Sequence, residues 1–546
     1  MAAAAGRVGK SVASVRMWHR LVDAAIQIPF GESFRDLHVH LDGSIPLDII
    51  LQHPAVAALA TSSPSGALHA PGPPSSSPHE NLQQSIWRRD VSQFQAAVGA
   101  VSPQGDTSLG VFDFMNAFLQ TVESLQQAAA AAMAPPAAPL VAPHTVTGKC
   151  PAESNAPSVI SELRFCPVLH THHGLSAREA VCAVKAAIGE DSILTLCALR
   201  HMGMQHFRDI LALAEEFQCA VDIAGDEGLA PFQIGSNTQE GEAALSGLKL
   251  FVAAAKEGSI PGVTAHAGEW PGAHASMLAA AECLRGLPGQ ARMGHALQFA
   301  PEAQTAYQGT LGQLLNLEQL RTLLAEAPCA QALAAKHQCG TALPVEVCLT
   351  SNVGGSARRG QPIWYDEHPL PLMVMAGVPI VLCTDNHVTS GNADTGAATL
   401  LQEHAHAFVL LTQFALRTGI HQESSAAADV HSSSAAGDEV GVGSVWQSLL
   451  RQHGGVLHTA NQQDAPLSSR ENLVSCMLWA WSYVYEMGVR SHHVSFAASC
   501  VHAKSLGYAL PSDGAQTQVL HAIAAISQTN DWIEFQNHIS LAARPR

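Results

Sequence analysis

His38 and His40 flank a single valine, and Asp42 follows two positions later, in the run FRDLHVHLDGSIP (34–46). In an extended chain residues i, i+2 and i+4 share a face. These three side chains would line one surface, with Leu37, Val39 and Leu41 on the other. Imidazole is the commonest metal-binding side chain near neutral pH. Taken alone, the pair is equally a polar strand face with two solvated histidines. Further along, TAHAGEW carries His266 and Glu269, RMGH ends in His295, and CTDN carries Asp385 and Asn386. Three imidazoles (His38, His40, His266) and the Asp385 carboxylate are the ligand types of a catalytic zinc ion that keeps a position for water. Zinc lowers the pKa of bound water from about 15.7 toward 7, so hydroxide is available at neutral pH. Glu269, three residues beyond His266, is then placed as a proton carrier rather than a ligand. His295 is placed to orient or deprotonate the attacking water.

Groups so far apart in the chain need a scaffold that gathers them. Eight β-rich runs recur: RDLHVHL (35–41), ELRFCPVL (162–169), SILTLCAL (192–199), CAVDIAG (219–225), GVTAHAG (262–268), ARMGHAL (291–297), VEVCLTSN (345–352) and VPIVLCTDN (378–386). Helical patterns such as AREAVCAVKAAI and MQHFRDILALAEEF separate most of them, which argues for a parallel sheet. Eight strands predict a closed (β/α)8 TIM-type barrel, an α/β fold that tolerates long insertions and builds its sites at the C-terminal strand ends. The polar residues cluster at those ends. A doubly wound open sheet is the structural alternative, but no Gly-rich phosphate fingerprint follows the first strand. The expected organisation is an N-terminal extension and leading helix (1–33), a barrel domain (34–510) and a C-terminal helical tail (511–546). Insertions fall at about 55–108, 128–157, 300–343 and 420–465. The Ser/Pro/Ala/Gly-rich stretches at 60–80, 128–157 and 420–440 read as solvated loops.

Composition narrows the partners. Of 546 residues, 47% are hydrophobic and 13% charged, enough for a sizeable core. The formal charge of −17 runs against a nucleic-acid polymer, whose binding surfaces carry a basic excess. The 12 cysteines form no C-x-x-C pair, and free thiols in a reducing compartment are the simplest reading. The most apolar stretch, PLPLMVMAGVPIVLC, is broken by Pro371, Gly377 and Pro379, so no membrane span is expected. A cytoplasmic location is the first expectation. The first twenty residues carry Arg7, Lys10, Arg16 and Arg20 and no acid, a composition that also suits organelle targeting.

In this order, HVHLDGS, DIAGDE, TAHAGE, RMGH and CTDN resemble the adenosine deaminase family, supported by ELRFCPVLHTHHGLS and HPLPLMVMAGV. The match runs from about Phe34 to Asn386 and fades toward FAASCVHAKSLG. The resemblance implies zinc-dependent hydrolysis of adenosine or a close derivative to inosine and ammonia, with one zinc per chain and a small purine nucleoside or nucleotide as partner. It implies His38, His40, His266 and Asp385 as ligands, Asp385 also acting in catalysis. Glu269 is implied as the acid that protonates ring N1, and His295 as the residue that assists the water. Substrate contacts are implied for His40, for Asp42 at the ribose, for the Gly225 N–H at ring N3, and for Asn386. The family usually carries a second aspartate where Asn386 stands. An amide donates to ring N7 without needing a raised pKa. Rival readings are a deaminase of N6-methyl-AMP or another purine nucleotide, another metal hydrolase on this barrel, and a non-catalytic nucleoside-binding homologue. Arg200, Arg292, Arg358 and Arg359 are the sequence candidates for gripping a phosphate. His170, His172 and His173, in LHTHHG, offer a second metal cluster, a reading set aside because that run already matches the family's strand-end loop.

Overall fold

The computed structural model describes residues 12–30, 34–51, 115–116, 118–133, 159–160, 162–171, 174–189, 192–232, 239–287, 289–309, 315–334, 342–356, 359, 362–390, 398–420, 469–496 and 513–542. Strands are numbered along the chain. A short parallel pair, β1 (Arg35–Asp36) and β3 (Val159–Ile160), lies apart from the main sheet. The main sheet runs β2 (Val39–His40), β4 (Glu162–Phe165), β5 (Ile193–Leu199), β6 (Ala220–Ala224), β7 (Val263–Ala267), β8 (Ala291–His295), β9 (Val345–Val347) and β10 (Ile380–Leu382), every neighbouring pair parallel. Just past β10 the chain meets β2. Asp385 N–H donates to the His38 carbonyl at 2.8 Å, and His40 N–H donates to the Asp385 carbonyl at 2.7 Å. The fold is a (β/α)8 barrel, and its seam passes through three of the expected metal ligands.

The helices that wrap the barrel carry their own signals. Ala177–Ala187 begins with a reciprocal cap, in which the Ser176 side chain accepts from Glu179 N–H and the Glu179 carboxylate accepts from Ser176 N–H at 2.8 Å. Its buried face is Ala180, Val181, Ala183 and Val184. Leu400–Thr418 opens on the same kind of cap at Thr399 and Gln402, and closes at Gly419 with φ 69°. It is almost wholly buried and packs along Ser469–Val494. Helices Asp513–Ile526 and Asn530–Ala542 follow, with Trp532 buried beside Phe408. No helix among the described residues is long and apolar enough to cross a membrane.

Strands covered on both faces normally read as apolar runs. Here Glu162, Arg164, Asp222, Arg292 and Glu346 are fully buried within them. Arg164 lies 2.5 Å from Glu346 and 3.2 Å from Asp222. Arg292 lies 2.6 Å from Glu346 and pairs with Glu162. The barrel interior is therefore an ionic layer of two cations and three carboxylates. Removing one member would strand a buried charge.

Some segments depart from expectation. The 35–41 run divides into β1 and β2. The 345–352 run stops at Val347 and turns into helix Leu349–Ser356. The loop expected from residue 128 begins as helix, because Val122–Met133 buries Leu125, Ala128, Ala129 and Ala132, packed against Ala177–Ala187. Segment 300–343 holds three helices, Pro301–Gly309, Leu317–Glu326 and Pro328–Ala334. Residues 1–11, 60–80, 134–157 and 421–465, and FAASCVHAKSLG after Phe496, lie outside the described residues.

Candidate active site

The Nε2 atoms of His38, His40 and His266 approach one another to 3.1, 3.2 and 3.2 Å. Asp385 Oδ1 lies 3.6 Å from His38 Nε2 and 3.5 Å from His40 Nε2. One donor atom from each of the four falls within 4.8 Å of the others, the one such group among the described residues. Two of these imidazoles are oriented from behind: His38 Nδ1 lies 2.9 Å from Glu346, and His266 Nδ1 lies 2.9 Å from Asp222. With Nδ1–H directed at Glu346, His38 Nε2 is a bare lone pair, and a lone pair about 3 Å from two other ring nitrogens is disfavoured unless a cation lies between them. Three imidazole nitrogens and a carboxylate oxygen form the donor set of a zinc-type ion. Carboxylates behind the histidines are the partners that such ligands usually have. Burial, with Arg164 and the adjacent imidazoles, holds His38 and His40 well below the usual histidine range, as a neutral ligand requires. For His266, burial opposes protonation, but the Asp222 carboxylate beside it prevails and raises it.

The backbone is shaped to this cluster. A Cβ on Gly294 would come within 3.2 Å of the His38 ring, so the glycine of RMGH lets β8 lie against a ligand. His295 and Asp385 adopt φ 68° and 65°, left-handed values that cost non-glycine residues on the order of 1–3 kcal/mol and gather at functional sites. Ser351 Oγ donates to Asp385 Oδ2.

Glu269 and His295 stand beside the ligands. His295 Nε2 is 3.9 Å from Glu269 Oε1, and its ring centre is 5.0 Å from that of His266. Glu269 Oε1 also takes a 2.6 Å bond from Arg359 Nη1. Burial would raise this carboxyl, but His295, Arg359 and His266 together hold it down at about 2. The turn that presents Glu269 is fixed by Glu227, which accepts from Gly268 N–H at 3.1 Å, Glu269 N–H at 3.0 Å and Ser276 Oγ at 2.6 Å. Glu227 is thus a buried support. Asp226 caps Gly228 N–H at 2.7 Å.

These groups line one cavity of about 460 Å³, together with Asp42, Gly225, Trp270, Arg359 and Asn386. Asp42 accepts from Asn116 Nδ2 at 3.4 Å, and burial pushes its carboxyl up to about 6. Asn386 is buried over Gly43, and its Oδ1 has no hydrogen-bond partner. Of the four arginine candidates, Arg200 is committed to the His266 carbonyl at 2.6 Å and Arg292 to the barrel interior. Arg358 lies outside the described residues, and Arg359 reaches the cavity. His170 bonds the Leu119 carbonyl at 2.9 Å and stacks on Phe165, while His172 and His173 are outside the described residues.

All the expected ligands therefore converge, and the expected acid and base flank them. Sequence reasoning missed the supports Asp222, Glu227, Glu346, Ser351 and Asn352. For Asp222, Glu346 and Asn352 the available signal was a charged or amide residue inside an otherwise apolar run.

A family model described as adenosine deaminase matches residues 149–408, a span that holds His266, Glu269, His295 and Asp385. Over that stretch the chain is similar to the adenosine deaminase family. His38 and His40 lie before the matched span, and folding brings them to the family's stretch. Curated relatives include adenosine deaminases of Clostridium acetobutylicum (27% identical, over 42% of this chain and 56% of that one) and Mycobacterium leprae (26%, over 48% and 65%). The Enterococcus faecalis adenosine deaminase is 28% identical over 51% of this chain and 65% of its own. The chain thus spans 56% to 65% of the length of these relatives. The apo N6-methyl-AMP deaminase of Arabidopsis thaliana superposes with a TM-score of 0.39 at 17% identity, over 75% of this chain and 99% of that one, a likeness too loose to carry weight.

Proposed function

We propose that this protein removes the 6-amino group of adenosine or a close adenosine derivative by hydrolysis, releasing inosine and ammonia. The observation that carries the reading is the meeting of the Nε2 atoms of His38, His40 and His266 with the Asp385 carboxylate beside the cavity that Glu269 and His295 line. His38, His40, His266 and Asp385 would hold a divalent ion of the zinc type. Such an ion supplies Lewis acidity and a water ionised near neutral pH. Glu269 carries a proton to ring N1, which makes C6 electrophilic. His295 hydrogen-bonds the reacting oxygen. Asp42 meets the ribose, Gly225 N–H meets ring N3, and Asn386 meets the N7 edge.

Among the described cavity-lining residues, Arg359 is the one Lys or Arg, and it is already paired with Glu269. That favours a neutral nucleoside over its monophosphate. The test is to measure metal content and to follow ammonia and the purine product with adenosine, 2′-deoxyadenosine, AMP and N6-methyl-AMP. Adenosine should be turned over fastest by zinc-loaded protein. Zinc-loaded protein that released no ammonia from any of the four would defeat the proposal.

A further inference from the structure

A chain of hydrogen bonds behind His295 decides which of its nitrogens carries the proton. Leu370 N–H, at the start of helix Leu370–Met375, is one of the first amides of a helix and has no intrahelical acceptor. It donates to His368 Nδ1 at 3.1 Å. A backbone N–H can only donate, so His368 Nδ1 is bare. His368 is fully buried, and burial holds it down at about 3. As a neutral ring it carries its proton on Nε2. As the amide stands, Asn352 Nδ2 lies 3.0 Å from that atom and Asn352 Oδ1 lies 2.8 Å from His295 Nδ1. An amide's oxygen and nitrogen are told apart by their partners. His368 Nε2–H needs an acceptor, which that placing of Nδ2 denies it, so the amide must be turned over, with its oxygen toward His368 and its NH2 toward His295. His295 Nδ1 must then accept, and a neutral His295 bears its hydrogen on Nε2, the atom that lies 3.9 Å from Glu269 Oε1.

We infer that His368 and Asn352 are positioning residues that lock His295 as an Nε2–H tautomer, so that His295 presents a donor rather than a base to the reacting oxygen. The opposite tautomer would set Nδ1–H against an N–H of Asn352. This deepens the deaminase reading and rests on it for the word "reacting". The proton of the attacking water must then go to another group, and Glu269 is the carboxylate at hand. The geometry of the relay itself is independent of any activity.

The tautomer is read directly by long-range 1H–15N correlation on the full-length, zinc-loaded protein labelled with 15N-histidine, with His295 assigned by the signals lost in His295→Gln. Wild type should show the Nε2–H pattern. His368→Phe, which keeps the bulk and removes the relay, should show mixed or Nδ1–H tautomers. Its kcat should fall on the order of 10- to 100-fold, the loss usual when an orienting partner goes, with KM changed by less than about 3-fold. His368→Gln, able to accept from Leu370 and donate to Asn352, should restore part of the rate. An Nδ1–H pattern in wild type overturns the relay whatever the activity, and that reading needs no variant to fold. Nε2–H in a protein that deaminates no purine leaves the relay standing and removes the deaminase reading.

Discussion

Glu269 is held from three sides: its backbone N–H by Glu227, its Oε1 by Arg359, and the same oxygen approached by His295. A carboxylate so fixed is placed for one proton transfer. Glu269→Gln keeps the shape and removes that transfer, so turnover should fall by at least about 100-fold, the lower end for a positioned acid. Zinc content by atomic absorption should stay near one per chain. Turnover like wild type's in that variant would contradict the assigned role. Arg359 restrains the same carboxylate, and Arg359→Ala should lower kcat more than it raises KM in steady-state assays. Asn386 stands where the family usually places aspartate. Its amide keeps the donor function, so Asn386→Asp should change kcat/KM for adenosine by less than about 100-fold, or ~2.7 kcal/mol. A larger change in either direction would assign Asn386 a different task.

Helix Leu349–Ser356 organises much of the site. Ser351 steadies Asp385, and Asn352 bonds His295 with its side chain while its carbonyl accepts from Arg359 Nη2 at 3.2 Å. The helix begins where it does because Glu403, some fifty residues away, accepts from Leu349 N–H at 2.7 Å and Thr350 N–H at 3.1 Å. Glu403→Ala leaves two buried donors unmatched. It should reduce stability by about 1–3 kcal/mol, seen as a lower denaturation midpoint, and should weaken zinc retention against a chelator. An unchanged midpoint would remove the cap from the explanation. The same helix shows where sequence reasoning stopped. VEVCLTSN reads as one strand because its β-rich start runs on without a break signal, and the cap that ends the strand comes from another helix. The strand ends were legible because each places polar residues after an apolar run. That local pattern was enough to name His38, His40, His266, Asp385, Glu269 and His295. Glu346 and Asp222 were not, because their meaning depends on Arg164 and Arg292 arriving from other strands.

At the scale of the whole molecule, buried imidazoles tie stability to pH. His406 stacks on Tyr365 with ring centres 4.0 Å apart and accepts from Trp18 Nε1 at 3.0 Å, joining the leading helix to the barrel wall. His404, two residues earlier, stacks on Phe34 at 4.6 Å. Burial lowers His404 to about 4 and His406 to about 3, and His368 likewise to about 3. In the unfolded chain each would titrate near 6.5. A group whose folded value is depressed contributes its full stability above the unfolded value and loses it as pH falls toward the folded one. Between pH 7 and 5 the unfolded state takes up the protons and the folded state does not, so each histidine should forfeit about 2 kcal/mol by pH 5. The three together predict a steep acid loss between pH 6.5 and the folded values. Denaturant titrations at pH 7 and pH 5 measure it. The clustered histidines His38, His40 and His266 add their own slope, but comparing wild type with His406→Gln at the same two pH values cancels that contribution. The variant should be less stable at pH 7, because the Trp18 and Tyr365 contacts are disturbed, yet should lose about 2 kcal/mol less than wild type on going to pH 5. Parallel losses in the two proteins would mean that His406 takes up its proton in the fold as readily as in the unfolded chain, and the packing of the leading helix against it would need a different account.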